Sequence, residues 1–388
     1  MDKLKENRII VDVSNIKVGG GVQVSLSFIN YLESNFEHGL SVYYILSTPV
    51  FEQVSRCLDS ARYTVVDTGV YTLNPLSKSR LNIRKYIDYV NPSVVFTVFG
   101  PSFWRVRRGA CNHVVGFANA WLVNPNTIAY EKFNIPSRFF VRLKNFILGK
   151  LLYSKERYYI TETHDVKNKF VELFSLEEKC VEVIPNALPY MYSSDSTNLI
   201  GSALPEIHNN SFRFITIAAN YPHKNLDVIA GVGKILDSKG YDFIFYVTMR
   251  DEEYELTSCD FQRYTYNLGI IPVEDCPQYY YAADAMFLPT LLECFSVSYL
   301  EAMYCGTPIA TSDFDFSREV CGEAAVYFDP LSVEDITMTL SKIITSKSLR
   351  KNLSNDGKVR IKEHLTNEAR SIKYIDFLVN IGNKNVSK

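Results

Sequence analysis

The feature that most constrains this chain is a rhythm that runs, breaks off and starts again. Strand-length stretches rich in β-branched and aromatic residues alternate with helix-length segments in both halves. In the first half, strands are expected at about 8–14, 41–47, 63–67, 93–99, 113–118, 157–162 and 181–184, with helices at about 22–35, 79–90, 138–154 and 165–174. The strands are largely apolar on both sides, as in RIIVDVS and SVVFTVF. Parallel strands covered by helices on both faces have that character, whereas a sheet with one wet face alternates.

The stretch 188–211 (LPYMYSSDSTNLIGSALPEIHNNS) has no period and is rich in Ser, Asn and Pro, which marks a linker. The alternation then resumes. Strands are expected at about 212–218, 242–248, 264–268, 285–289, 308–311 and 325–328, and helices at about 225–238, 275–283, 296–304, 317–321 and 333–346. Residues 355–380 are helical by pattern. Two successive βαβα runs predict an α/β protein of two Rossmann-like, doubly wound domains. The expected division is an N-terminal domain (1–190), a linker (191–211), a second domain (212–360) and a C-terminal helix (361–388). At 388 residues the chain exceeds one ordinary core, and 47% hydrophobic with 22% charged residues is globular composition.

Several classes are excluded by what the chain lacks. MDKLKENR leads into the first strand without an apolar signal core, and no window reaches the ~18–20 apolar residues of a membrane span, so the expected location is the cytoplasm. Eight cysteines without a C-x-x-C or a Cys/His cluster read as buried or incidental thiols. No G-x-G-x-x-G follows any strand, which argues against a dehydrogenase.

Charge is distributed unevenly. The net charge is −2, yet residues 73–157 hold 14 Lys+Arg against 3 Asp+Glu, among them Lys78, Arg80, Arg84, Lys85, Arg105, Arg107 and Arg108. Beside the plain reading of a solvated surface, this excess points to an anionic partner, either a phosphate-bearing acceptor or an acidic membrane face. No nucleic-acid partner is expected. Within that region, 137–157 plots as a helix with a narrow polar stripe (Arg138, Arg142, Asn145, Gly149) and a broad apolar face. That face either packs inside the domain or meets a membrane through aromatics and Arg/Lys.

The chemistry concentrates in 285–330. A strand (AMFLPT) gives way to a loop (LLECFS), a helix (VSYLEAMYC) and a stop at Gly306. Glu293 stands at the carboxyl end of the strand, where open α/β sheets bind ligands. Ser296 is placed to cap the helix, whose free N–H groups and dipole favour a diphosphate. Glu301 lies inside an otherwise apolar helix and needs a partner, either ligand hydroxyls or an internal salt bridge.

Glu293-x7-Glu301 followed by EAMYCGTPIATSDFDFSREVCGEAAVYFDP resembles the retaining glycosyltransferases of the GT-B fold, specifically glycosyltransferase family 4. Glu319 stands at that family's later Glu, and Asp329-Pro330 closes its pattern. ITIAANYPHKNLDVI (215–229) resembles the family's strand and Lys-Asn loop, and NLGIIPVEDCPQYYYAADAMFLPT (267–290) its nucleobase loop. DVSNIKVGGGVQVSL (12–26) resembles its Gly-rich turn, and VEVIPNAL (181–188) its V-I-P-N-G stretch. The resemblance implies two Rossmann-like domains facing each other across a cleft. It implies Glu293 as the catalytic residue. It further implies donor contacts from Glu301 (ribose), Lys224 and Asn225, Gly20 and Gly21, Phe295, Ser296, Val297 and Ile270.

Two departures stand out. The Arg that many members carry before the Lys is replaced by Ala218-Ala219-Asn220, and the strand VVFTVFGP (94–101) lacks the family's His. Asn119 is the candidate substitute for that His, and His223, beside Lys224, reads either as a loop or cap residue or as a base. Asp313-Phe314-Asp315 superficially resembles the D-x-D metal motif of the other glycosyltransferase fold but reads as an ordinary loop, and His113 reads as a core residue.

The implied activity is transfer of a sugar from a nucleoside-diphosphate sugar to a glycan acceptor, with retained configuration and no metal or other cofactor. Family habit and the basic first domain imply a polyprenyl-diphosphate-linked acceptor at the inner membrane face, as in O-antigen or capsule assembly. Two alternatives remain open: a nucleotide-sugar epimerase on the same fold, and a GT-B binding protein without catalysis.

Overall fold

A computed structural model of the chain describes residues 7–35, 40–66, 77–102, 104, 111–153, 157–192, 204–205 and 211–384. The apolar runs of the first half become β1 (Asn7–Asp12), β2 (Leu40–Leu46), β3 (Tyr63–Val65), β4 (Val94–Thr97), β5 (Asn112–Phe117), β6 (Tyr158–Thr161) and β7 (Val181–Val183). They form one parallel sheet in the order β3-β2-β1-β4-β5-β6-β7. Every residue of β4 is buried, because helices cover both faces of the sheet. One face carries Val11, Phe96 and Val98 against Val24, Phe28 and Ile29 of the helix Gly20–Ser34. The other carries Ile10, Ile45 and Val95 against Ile83, Ile87 and Val90 of the helix Lys78–Val90.

The second sheet is built from β8 (Phe212–Thr216), β9 (Phe243–Val247), β10 (Thr265–Asn267), β11 (Ala285–Leu288), β12 (Ile309–Ser312) and β13 (Ala325–Phe328). It too is parallel, in the order β10-β9-β8-β11-β12-β13. All residues of β9 and β11 are buried, with Phe214, Phe245 and Phe287 packed against Ile229, Val232 and Leu236 of the helix Val228–Ser238. Both sheets are doubly wound, as the alternation predicts.

The two compact units do not follow chain order. One comprises Met1–Val123, Leu143–Pro189 and Leu365–Lys388, the other Asn124–Arg142 and Tyr190–His364. Residues 124–142, expected in the first domain, therefore belong with the second sheet. The expected single tail helix is two helices, Lys347–Arg360 and Asn367–Asn383, the second capped by Thr366, whose hydroxyl accepts from Ala369 N at 3.1 Å. Within the first unit, Tyr374 of that last helix makes edge contacts with Phe28, and the buried Arg370 hydrogen-bonds Asn186 and Ser27. Arg105, Arg107, Arg108 and most of the expected linker lie outside the described residues.

Candidate functional site

In the second sheet the winding reverses between β8 and β11, so the loops leaving these two adjacent strands diverge from a shared crevice. The β8 loop carries Lys224 and the β11 loop carries Glu293, two residues far apart in sequence. The winding is what brings them together: Lys224 Nζ and Glu293 Oε1 form an ion pair. The two side chains are only 14% and 11% exposed, which shields the pair from the screening that weakens surface pairs. Thr290 Oγ1 donates to the same Glu293 oxygen at 3.0 Å, and Leu291 N donates to His223 O at 2.7 Å, tying one loop to the other.

The β8 loop is shaped by a single 3-10 turn, Pro222–Lys224, closed by Asn225 in the left-handed region (φ 58°). Asn tolerates that conformation better than most residues, and its side chain here donates to Pro330 O at 3.0 Å. Asn225 is 2% exposed, so its amide anchors the loop to the Asp329-Pro330 corner. His223 stacks on Tyr221 with ring planes 8° apart. Burial, with the neighbouring Lys224 ammonium, pushes its pKa down to about 4 against the opposing pull of Glu293, so the imidazole is neutral near pH 7.

After β11 the chain enters the helix Val297–Cys305. Ser296 occupies the N-cap position with extended backbone, but its side chain makes no capping hydrogen bond, contrary to the expected cap. Phe295 and Val297 flank it half-buried. Gly306 ends the helix at φ 70°, as expected, and a Cβ there would lie 2.6 Å from Lys358 Cε.

Glu301 is 7% exposed, and burial pushes its carboxyl up to about 7. The nearby hydroxyls of Tyr280 and Tyr192 pull it part of the way back. Both hydroxyls are buried without a hydrogen bond of ordinary geometry. Among the described residues no Lys, Arg or His forms an ion pair with Glu301, so the internal salt bridge is not the partner this carboxylate has.

Ile270 follows Gly269 (φ 70°) and is 76% exposed. In the first unit, Gly20 and Gly21 are the first two residues of the helix Gly20–Ser34, and a Cβ at Gly20 would meet nothing within 4 Å. The residue that needs glycine's backbone freedom is Gly19, at φ 73°. Asn119 lies just beyond β5, half-buried, with its carbonyl accepting from Leu122 N at 3.1 Å. Asp313 spends its carboxylate on the Arg318 guanidinium.

Sequence reasoning missed four contributors. Thr290 carried no motif signal. Tyr192, within the expected linker, packs edge-on against Tyr304 and is fully buried. Tyr280 was one aromatic among several in PQYYYAAD. Asp12, at the carboxyl end of β1, is buried and accepts from Ser14 N (3.0 Å), Ser14 Oγ (2.6 Å), Thr97 Oγ1 (2.9 Å) and Trp104 Nε1 (3.1 Å), which fixes the start of the Gly-rich loop. His113 is a core residue as expected: it stacks on Trp104, meets Thr97 Oγ1 through Nε2 at 2.9 Å, and has its pKa driven far down by burial.

Residues 205–360 match the family described as glycosyl transferases group 1. The matched residues span most of the second unit. The chain as a whole has the GT-B fold: over 96% of its length it superposes on 99% of the Anabaena protein HepE, solved with UDP and glucose, at TM-score 0.64 and 12% identity. An O-antigen chain mannosyltransferase B of Escherichia coli is 33% identical over 96 residues, a quarter of each chain. The O-antigen chain mannosyltransferase RfbU of Salmonella typhimurium is 22% identical over 202 residues, 51% of this chain and 54% of that one. The chain thus spans about half, or less, of the length of the curated relatives it matches. The Lys224–Glu293 pair, Glu301 and the start of the helix Val297–Cys305 all fall within the matched residues 205–360.

Proposed function

We propose that this protein transfers a sugar from a nucleoside-diphosphate sugar to a glycan acceptor, with retention at the anomeric carbon. The observation that carries the reading is the pairing of Lys224 with Glu293 at the carboxyl ends of β8 and β11, beside the start of the helix that buries Glu301. Breaking the bond from the anomeric carbon to the leaving diphosphate concentrates negative charge on that diphosphate. Lys224 and the backbone N–H groups at the start of the helix Val297–Cys305 meet this charge as preorganised electrostatic stabilisers. Drawing Lys224 onto the diphosphate frees a Glu293 oxygen to accept from hydroxyls of the transferred sugar. Thr290 keeps that carboxylate oriented.

Glu301 is suited to ribose, because two vicinal hydroxyls add donors to a buried carboxylate that has no cation beside it. Ile270 is assigned to the nucleobase and Phe295, Ser296 and Val297 to the diphosphate. In the first unit, the backbone at Gly20 and Gly21 is assigned to the diphosphate or the transferred sugar. Since Lys224 and a helix terminus supply the positive charge, the reaction is proposed to need no metal.

The names of the O-antigen mannosyltransferase relatives and the basic stretch 73–157 support a lipid-linked acceptor, handled at an acidic membrane surface from the cytoplasmic side. The test is an incubation with a panel of nucleotide-sugars, with and without a polyprenyl-diphosphate-linked glycan and with and without chelator, followed by mass spectrometry and by NMR of the new linkage. Acceptor-dependent release of nucleoside diphosphate with retained configuration is expected. Interconversion of the donor alone would show an epimerase. Donor binding without turnover on any acceptor would show a binding protein.

A further inference from the structure

The helix Ile135–Leu152 is amphipathic, and the structure turns it the opposite way from an ordinary domain helix. Its buried residues are Asn145, Gly149 and Leu152. Gly149 lets Leu122 and Phe174 approach to 3.1 and 3.5 Å of where a Cβ would stand, and the Arg142 guanidinium lies 4.7 Å over the Tyr130 ring. The inward face is therefore the end of the polar stripe at Asn145 and Gly149, with Leu152, while Arg138 is half-buried and Arg142 exposed. Ile135 (80% exposed), Phe139 (69%), Phe140 (67%) and Phe146 (63%) point outward with Leu143 and Ile147. A run of exposed large apolar side chains on one helix is a contact surface in search of a partner.

Charge identifies the partner. Between Glu131 and Glu156 the sequence contains no Asp or Glu, while Lys144 and Lys150 are exposed among the aromatics, with Lys150 Nζ 5.4 Å over the Phe146 ring. A second copy of the chain meeting this face about a twofold axis would set lysine against lysine. At 18 residues the helix is about 27 Å long and about 10 Å wide, a footprint of roughly 300 Å² against the ~800 Å² per partner of a stable dimer. No helix among the described residues is long and apolar enough to cross a membrane, so this one is suited to lie in the interface rather than to span it. Aromatics entering the acyl boundary and lysines among anionic headgroups satisfy both halves of its surface.

We propose that the outward face of the helix Ile135–Leu152 docks the protein on an anionic phospholipid surface, through Phe139, Phe140 and Phe146 with Lys144 and Lys150. The inference deepens the membrane-side reading of the acceptor and names the element responsible. It is tested by co-sedimentation of the full chain with vesicles of three parts phosphatidylcholine to one part phosphatidylglycerol, and with phosphatidylcholine alone. The full chain binds the anionic vesicles, binds neutral vesicles less, and is released in part by high salt. Phe139→Ser combined with Phe146→Ser weakens partition at least about tenfold, and Lys144→Gln with Lys150→Gln removes most of the salt sensitivity. Both variants keep the parent melting temperature and its stabilisation by a nucleoside diphosphate, because the altered side chains are exposed.

Failure of the full chain to bind anionic vesicles, or equal binding by the serine variant, overturns the proposal. A concentration-dependent dimer abolished by the serine substitutions overturns it in favour of a second copy. If vesicle binding behaves as described but no sugar is transferred to any acceptor, the docking surface stands and the proposed activity falls.

Discussion

Replacing Glu301 by Gln keeps the side chain's shape and removes a carboxylate that burial holds far above its ordinary value of 4.5, at about 7. In the unfolded chain the group ionises at its ordinary value. Between the two values the folded state binds more protons than the unfolded state, so stability falls as pH rises. The contribution is fully present below pH 4.5 and gone above about pH 7, and at about 1.4 kcal/mol per pH unit the loss amounts to about 3 kcal/mol. Glu301→Gln lacks this slope. Relative to the parent, the variant therefore gains about 3 kcal/mol between acid and mildly alkaline solution, although a site residue has been removed.

Urea unfolding of both proteins from about pH 5 to about pH 8.5 reads the difference directly. Parallel stability curves, or a parent that gains on the variant as pH rises, would refute the account of a buried, cation-free carboxylate. The same reasoning extends to the donor. Under the proposed contact with ribose, its hydroxyls favour the ionised form, so the Glu301-dependent part of nucleoside diphosphate affinity rises with pH through about 7 in the parent and is absent from the variant. Tyr280→Phe removes a group that favours ionisation and moves that rise to higher pH.

Three further outcomes are expected. Lys224→Met removes the positive charge that the proposed reaction sets against the leaving diphosphate and lowers kcat/KM by about a hundredfold or more in steady-state assays; a change under threefold would show that other groups hold the diphosphate. Thr290→Val keeps the shape of a fully buried side chain but frees the Glu293 carboxylate, lowering kcat by about tenfold with a melting temperature within a few degrees of the parent. Arg370→Ala strips Asn186 and Ser27 of their buried donor and costs about 3 kcal/mol in urea unfolding; a cost below about 1 kcal/mol would mean that this guanidinium does not anchor the last helix.

Most of the fold was legible because parallel strands covered on both faces are written as apolar runs, and the turns between them in polar residues, Gly and Pro. The thirteen strands among the described residues fall close to the expected positions. The errors came where local pattern is a weak signal. Residues 361–366 look continuous with their helical neighbours, but the break is decided by Thr366 capping the next helix. Gly19, Gly20 and Gly21 are equivalent on paper, and only the backbone path assigns the positive φ to the first.

The sequence by itself determined two doubly wound α/β domains, the Glu293-x7-Glu301 spacing on a strand-to-helix turn, and an apolar helix that makes a carboxylate costly. Only the tertiary structure decided which groups meet. Lys224 reaches Glu293 because β8 and β11 are neighbours across the switch point, 69 residues apart in the chain. Tyr192 reaches Glu301 from a stretch with no periodicity at all. Pattern also describes both faces of the helix Ile135–Leu152 equally well. Around Gly149 the choice of inward face leaves Leu122 and Phe174 within 3.1 and 3.5 Å of where a Cβ would stand, space for a glycine rather than a phenylalanine.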